Sequence, residues 1–120
     1  AVDAGRGREP RHVRAVPTND DHKISAAVET FNRTEHIRTV AGVGRSLGAP
    51  TVSVIPDPER GSLVRIVASW ELCWYRYEVE LGDEPSTVRL ENQGYELHEL
   101  SEREQVANAA ADDVGRLHAT

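Results

Sequence analysis

Few residues in this chain are placed to do chemistry, and each set lacks a member. His98-Glu99-Leu100-Ser101-Glu102 begins like the HExxH zinc signature, in which two histidines one helical turn apart grip the metal. Glu102 stands where the second histidine belongs, so the ligand pair is incomplete. Gly42-Val43-Gly44-Arg45-Ser46-Leu47-Gly48 is rich in glycine, but its spacing is GxGxxxG. A dinucleotide-binding turn needs GxGxxG directly after a strand, and these glycines read instead as positions where a helix packs closely on a sheet. The five histidines (His12, His22, His36, His98, His118) are scattered among charged neighbours, as solvated surface residues are. Asp20-Asp21 and Asp112-Asp113 are paired acids at expected helix ends, where the helix dipole accounts for them. No nucleophile and base can be paired from order alone. The expectation is a protein that is not an enzyme, with no catalytic residue, no metal and no cofactor.

A binding surface is the better prospect. Four of the six aromatic side chains, Trp70, Trp74, Tyr75 and Tyr77, fall within eight residues, together with the single cysteine, Cys73. Tryptophan, tyrosine and arginine are enriched where binding energy concentrates, which makes Trp74, Tyr75, Arg76 and Tyr77 the candidate interface. Around them the apolar alternation changes parity. Val64, Ile66, Ala68, Trp70 and Leu72 are even; Cys73, Tyr75, Tyr77, Val79 and Leu81 are odd, with Arg76, Glu78 and Glu80 opposite. One strand cannot keep both sets in one core, since a slip of one residue swaps the faces. The stretch is expected to be a hairpin turning through Ser69–Leu72, or else a long strand with a bulge there. Trp74 is then expected on the face away from the tyrosines and partly exposed.

The best alternative is regulatory. Residues 40–55, VAGVGRSLGAPTVSVI, resemble a helix-turn-helix: Gly44 at the small-residue position, Leu47 at the inner apolar one, Gly48 at the turn and Val54 where a second helix packs back. The resemblance implies a DNA-binding regulator in which Arg38 and Arg45 touch phosphates. It requires Thr51–Ile55 to be helical, and Pro56 and Pro58 cut that helix too short to enter a major groove. A small-molecule site in a cleft between sheet and helices is a further alternative.

Composition bounds the rest. The 120 residues suit one domain, 38% hydrophobic, with a net charge of −6 that argues against a general nucleic-acid binder. No run approaches the roughly 18 apolar residues of a membrane span, and no apolar leader segment stands out. One cysteine excludes an internal disulfide and fits a reducing, cytoplasmic setting. Thirteen arginines against one lysine, with much alanine and valine, fit the codon bias of a GC-rich bacterial genome. The lack of methionine, position 1 included, suits a processed product or a fragment.

Residues 1–17, with Gly5, Gly7, Pro10, Pro17 and four arginines, read as a flexible basic arm, and 18–120 as the domain. Thr18-Asn19-Asp20-Asp21 starts a helix. Ile24, Ala27, Val28 and Phe31 share one face; Ile37, Val40, Ala41, Gly44 and Leu47 lie nearly opposite. The helix therefore either breaks near Asn32–Thr34, with Asn32 and Glu35 as a capping pair, or stays whole and is shared between the core and a partner chain. Gly48 and Pro50 end it. Strands follow at 51–55, twice within 62–81, and at 87–91. Ser101-Glu102-Arg103-Glu104 fits a capping box and predicts a C-terminal helix carrying Val106, Ala109, Ala110 and Leu117.

The expected fold is α+β in two layers: an N-terminal helix, a four-stranded antiparallel meander and a C-terminal helix. That order resembles secretion-chaperone-like domains in general shape. The expected function is a protein-binding or assembly module acting as a homodimer or with a protein partner, without nucleic acid or membrane.

Overall fold

A computed structural model describes residues 15–120. Most of the expected N-terminal arm lies outside the described residues; within them, Val16 packs against the core.

Helix α1 spans Asp20–Asn32 and starts as its residues dictate. The Asn19 side chain accepts hydrogen bonds from the N–H groups of Asp21 (2.8 Å) and His22 (3.2 Å), with two aspartates in the first turn. The helix breaks at Arg33–Glu35, and α2 runs from His36 to Leu47. The break is not made by an Asn32–Glu35 pair. Glu35 caps nothing with its side chain; the Thr34 hydroxyl instead donates to the Phe31 carbonyl (2.7 Å) and accepts from the His36 N–H (3.3 Å). Gly48, at φ 88°, closes α2 by returning its N–H to the Gly44 carbonyl, and Pro50 follows.

Among the described residues the sheet has six antiparallel strands: β1 (Thr51–Pro56), β2 (Leu63–Ser69), β3 (Trp74–Glu80), β4 (Thr87–Gly94), β5 (Ala109–Ala111) and β6 (Leu117–Ala119), in the order β4-β3-β2-β1-β5-β6. The first four form the expected meander. The parity change is a hairpin: Ser69 pairs with Trp74, and the Trp70 N–H donates to the Cys73 carbonyl at 2.8 Å, so the connection is Trp70–Cys73, one residue later than expected. A bulge exists elsewhere, where Tyr77 pairs with Leu90 but Arg76 with Asn92, leaving Glu91 as the extra residue of β4.

The C-terminal helix is not formed. Residues 97–105 make two 3-10 turns, Leu97–Glu99 and Arg103–Gln105, and the rest is the β5–β6 hairpin. The capping contacts are present, since the Glu104 N–H meets the Ser101 hydroxyl (3.3 Å) and the Ser101 N–H meets the Glu104 carboxylate (2.9 Å). The turn does not propagate because Asn108 leaves it. Its side-chain amide bonds Val54 twice, accepting from the N–H (2.7 Å) and donating to the carbonyl (2.8 Å), which lays the following alanines along β1. The fold is thus α+β, but six-stranded, with two helices at its N-terminal end. The outline on which the secretion-chaperone likeness rested, a helix at each end of a four-stranded meander, is not that of this chain.

The main core lies between the helices and one sheet face: Ala27, Val28, Phe31 and Val40 against Val52, Val54, Val64, Ile66, Tyr77 and Val79. The other face, called the outer face below, holds a smaller cluster of Val67, Trp74 and Leu100, roofed by residues 97–106. The sheet is therefore covered on both sides rather than forming two simple layers. Gly115, at φ 86°, turns β5 into β6 directly against the α2 backbone, where a Cβ would collide with the Ile37 carbonyl. Gly115→Ala combines a disfavoured φ with that collision and should cost more than about 3 kcal/mol, read as a fall in the urea midpoint. Asn108→Ala leaves both Val54 backbone groups unpaired and should cost about 2 kcal/mol by the same measurement.

Candidate protein-binding surface

The alternation of β3 divides the four residues expected to form one interface. Trp74 and Arg76 point to the outer face, Tyr75 and Tyr77 to the helix face. Trp74 is 3% exposed. Its indole N–H lies between the Glu96 carbonyl (3.1 Å) and the Glu99 carboxylate (3.2 Å), and the Arg76 guanidinium sits 4.9 Å from its ring centre. Tyr77 is 1% exposed, edge-on to Phe31 (5.1 Å) and beside His36 (4.9 Å). Burial pushes its hydroxyl well above the ordinary tyrosine range. Tyr75 is half-buried, edge-on to Trp70 at 6.1 Å. Trp74 is thus fully roofed rather than partly exposed, and it and Tyr77 act as packing residues of two separate clusters.

The outer face is a closed electrostatic lattice. Arg76 binds Glu104 with two N–H groups (2.7 and 3.1 Å) and Glu91 with a third (3.3 Å), while Arg65 faces Asp57 and Arg89 pairs with Glu78. A shallow recess opens between Arg65, Arg76, Glu78, Glu91, Ser101 and Glu104, but its charges already have partners. Burial alone would raise the Glu104 carboxyl; the Arg76 guanidinium and the Ser101 N–H outweigh it and hold it below its ordinary 4.5. Folding is therefore stabilised by this carboxylate above pH 4.5, and that stabilisation is lost as pH falls through the lowered folded value.

The open surface lies at the other end of the sheet. Among the described residues, Val40 is the one α2 side chain that is buried, although Ile37, Ala41, Val43 and Leu47 give the helix an apolar stripe. The glycines do not bring α2 tightly onto the sheet, since a Cβ on Gly44 would meet nothing within 4 Å. Beyond the helix, the Trp70 indole donates to the Gly48 carbonyl at 2.8 Å and ties the β2–β3 hairpin to the end of α2. Trp70 floors a recess of about 330 Å³, rimmed by Leu47, Ala49, Leu72, Leu97 and Gln105. Leu47 is 39% exposed and Leu72 65%. A neighbouring recess of about 350 Å³ lies between α2 and the β5–β6 turn, with Arg45 on one side and Asp112 and Asp113 on the other.

The chemistry weighed from sequence falls out differently. Thr51–Pro56 is strand β1, so no second helix of a helix-turn-helix exists. The glycines of 42–48 lie in and at the end of α2, with the α1–α2 break rather than a strand before them. His98 reaches Glu96 at 3.8 Å, and His118 bonds Asp112 at 2.9 Å. Among the described residues no three His, Cys, Asp or Glu side chains converge as a metal site, and no helix is long and apolar enough to cross a membrane.

The recess around Trp70 escapes a reading of the sequence because its residues come from the end of α2, the hairpin, β1 and the 3-10 turns; the visible signals were Trp70 and Leu72 in the connection and Leu47 beside the helix stop. The chain matches no known protein family, no curated protein and no solved structure.

Trp74→Ala should cost about 3–5 kcal/mol in denaturant unfolding, as expected for a large side chain removed from a packed cluster. Glu104→Gln should cost about 2 kcal/mol at neutral pH, and its deficit should shrink below pH 4.5 as the wild-type carboxylate protonates. A constant deficit from pH 7 to pH 3 would contradict the assigned pairing.

Proposed function

We propose that this chain is a non-enzymatic protein-binding and assembly module acting as a homodimer, and that its α2–Trp70 surface receives a protein partner. The observation that carries the reading is the incomplete burial of α2. A helix that buries Val40 fully and Ile37 and Val43 only in part, beside a hairpin tip that exposes Leu72, leaves apolar area that a partner can remove from water. Trp70 gives the surface a rigid aromatic floor, because its indole N–H is already satisfied. The negative net charge and the strand at 51–56 favour a protein over nucleic acid. A reducing, cytoplasmic setting suits the free thiol of Cys73.

A small-molecule role is the second reading, favoured by the recess of about 350 Å³ that sets Arg45 against Asp112 and Asp113. A thermal-shift screen of polar metabolites against wild type and Arg45→Ala distinguishes it.

The partner reading is tested by affinity capture from native lysate, followed by binding measurements with the purified captured protein. Leu47→Asp/Leu72→Asp replaces two exposed side chains and should leave the melting temperature within a few degrees. It should weaken the reconstituted complex at least about tenfold. Equal affinity of both forms, or a wild type that captures nothing, would reject this surface.

A further inference from the structure

We infer that the open edge of β4 is the self-association surface, where a second copy of this chain pairs antiparallel about a two-fold axis through Leu90; this rests on the homodimer reading above. The two ends of the sheet differ. At one end β6 is three residues long, and the Leu117 N–H and carbonyl are both taken by the Asn32 side-chain amide (2.8 and 2.9 Å). That edge is short and closed. At the other end β4 runs eight residues, Thr87–Gly94, and among the described residues it has a strand neighbour on one side alone. An open edge presents a row of backbone donors and acceptors to any second strand.

Charge selects the occupant. Arg89 and Glu91 both reach the outer face, as their pairing with Glu78 and Arg76 shows. In an antiparallel pair the residue numbers of facing positions have a constant sum up to a bulge, and in β4 that stretch ends at Glu91. With the axis at Leu90, Arg89 of each copy faces Glu91 of the other, twice over, while Leu90, 40% exposed, faces its own copy on the opposite side. An axis one residue earlier sets Arg89 against Arg89, and one residue later sets Glu91 against Glu91. Charges and a bulge on an edge ordinarily discourage foreign strands. Here they are of both signs and match in the Leu90-centred register, so the edge repels an arbitrary strand and accepts its own copy. Arg89, with its side chain 67% exposed, can reach across while still paired with Glu78.

The test is solution mass by light scattering at low salt on wild type, Arg89→Glu, Glu91→Arg and an equimolar mixture of the two variants. Wild type should be a dimer. Each variant alone sets two like-charge pairs at the junction and should dissociate at least about tenfold more readily. The mixture should recover the dimer. In a mixed pair the glutamate introduced at position 89 of one chain faces the arginine introduced at position 91 of the other, and the unaltered Glu91 of the first faces the unaltered Arg89 of the second. That recovery also excludes misfolding as the reason for dissociation. A wild type dimer with both variants equally dimeric would overturn the β4 assignment and leave the homodimer standing elsewhere. Two monomeric variants that stay monomeric when mixed would overturn it as well. A monomeric wild type would overturn the homodimer reading itself.

Discussion

Two sets of apolar side chains that fall on opposite parities can share one core only if the chain reverses or bulges between them. Trp70–Cys73 is where this chain reverses, and much of the structure hangs on that four-residue connection. It places Val64, Ile66 and Ala68 of β2 beside Tyr77 and Val79 of β3 against the helices. It sends Val67 and Trp74 to the far side. A connection one residue longer or shorter would exchange the faces of β3 and bury Arg76 and Glu78 under α1. The same connection fixes the end of α2 through the Trp70–Gly48 bond, so the core, the helix terminus and the recess share one anchor.

The outer face solves a different problem. Its strands carry many charges, and residues 97–106 close over those around Trp74 and Arg76 while Arg89 and Glu91 stay exposed. Arg76 is the centre of that closure, stacked on Trp74 and bound by two carboxylates. The buried Ser53 hydroxyl adds a second tie, donating toward the Glu104 and Val106 carbonyls. A polar lattice of this kind is demanding, since each member left without its partner carries a desolvation cost. It holds here because acids and arginines alternate across neighbouring strands.

What is legible in the sequence is what local physics decides. The Asn19 cap, the Gly48 stop, the break between the helices and the four-strand meander follow from signals within a few residues of each element. The C-terminal segment departs from the expected helix although its capping pair forms. Whether that turn grows into a helix depends on Arg76, 28 positions away, and on the Asn108–Val54 amide pairing, 54 positions away. The four candidate residues divide between two faces for a related reason. Trp74, Tyr75, Arg76 and Tyr77 look like one patch along the chain, but successive side chains of a strand point to opposite faces. The open apolar surface is assembled from segments far apart in sequence, and no contiguous run announces it.

The separation of the two tryptophans by the sheet has an optical consequence. Trp70 sits beneath the open recess, with an amide carbonyl and Tyr75 as neighbours; Trp74 sits beneath the roof, beside a guanidinium and a carboxylate. The chain therefore carries two indoles in unlike surroundings, one reporting on the surface and the other on the lattice. Emission from a Trp74→Phe chain follows occupancy of the recess, and emission from a Trp70→Phe chain follows opening of residues 97–106. Recognition and local unfolding can thus be watched separately in one molecule without an added label.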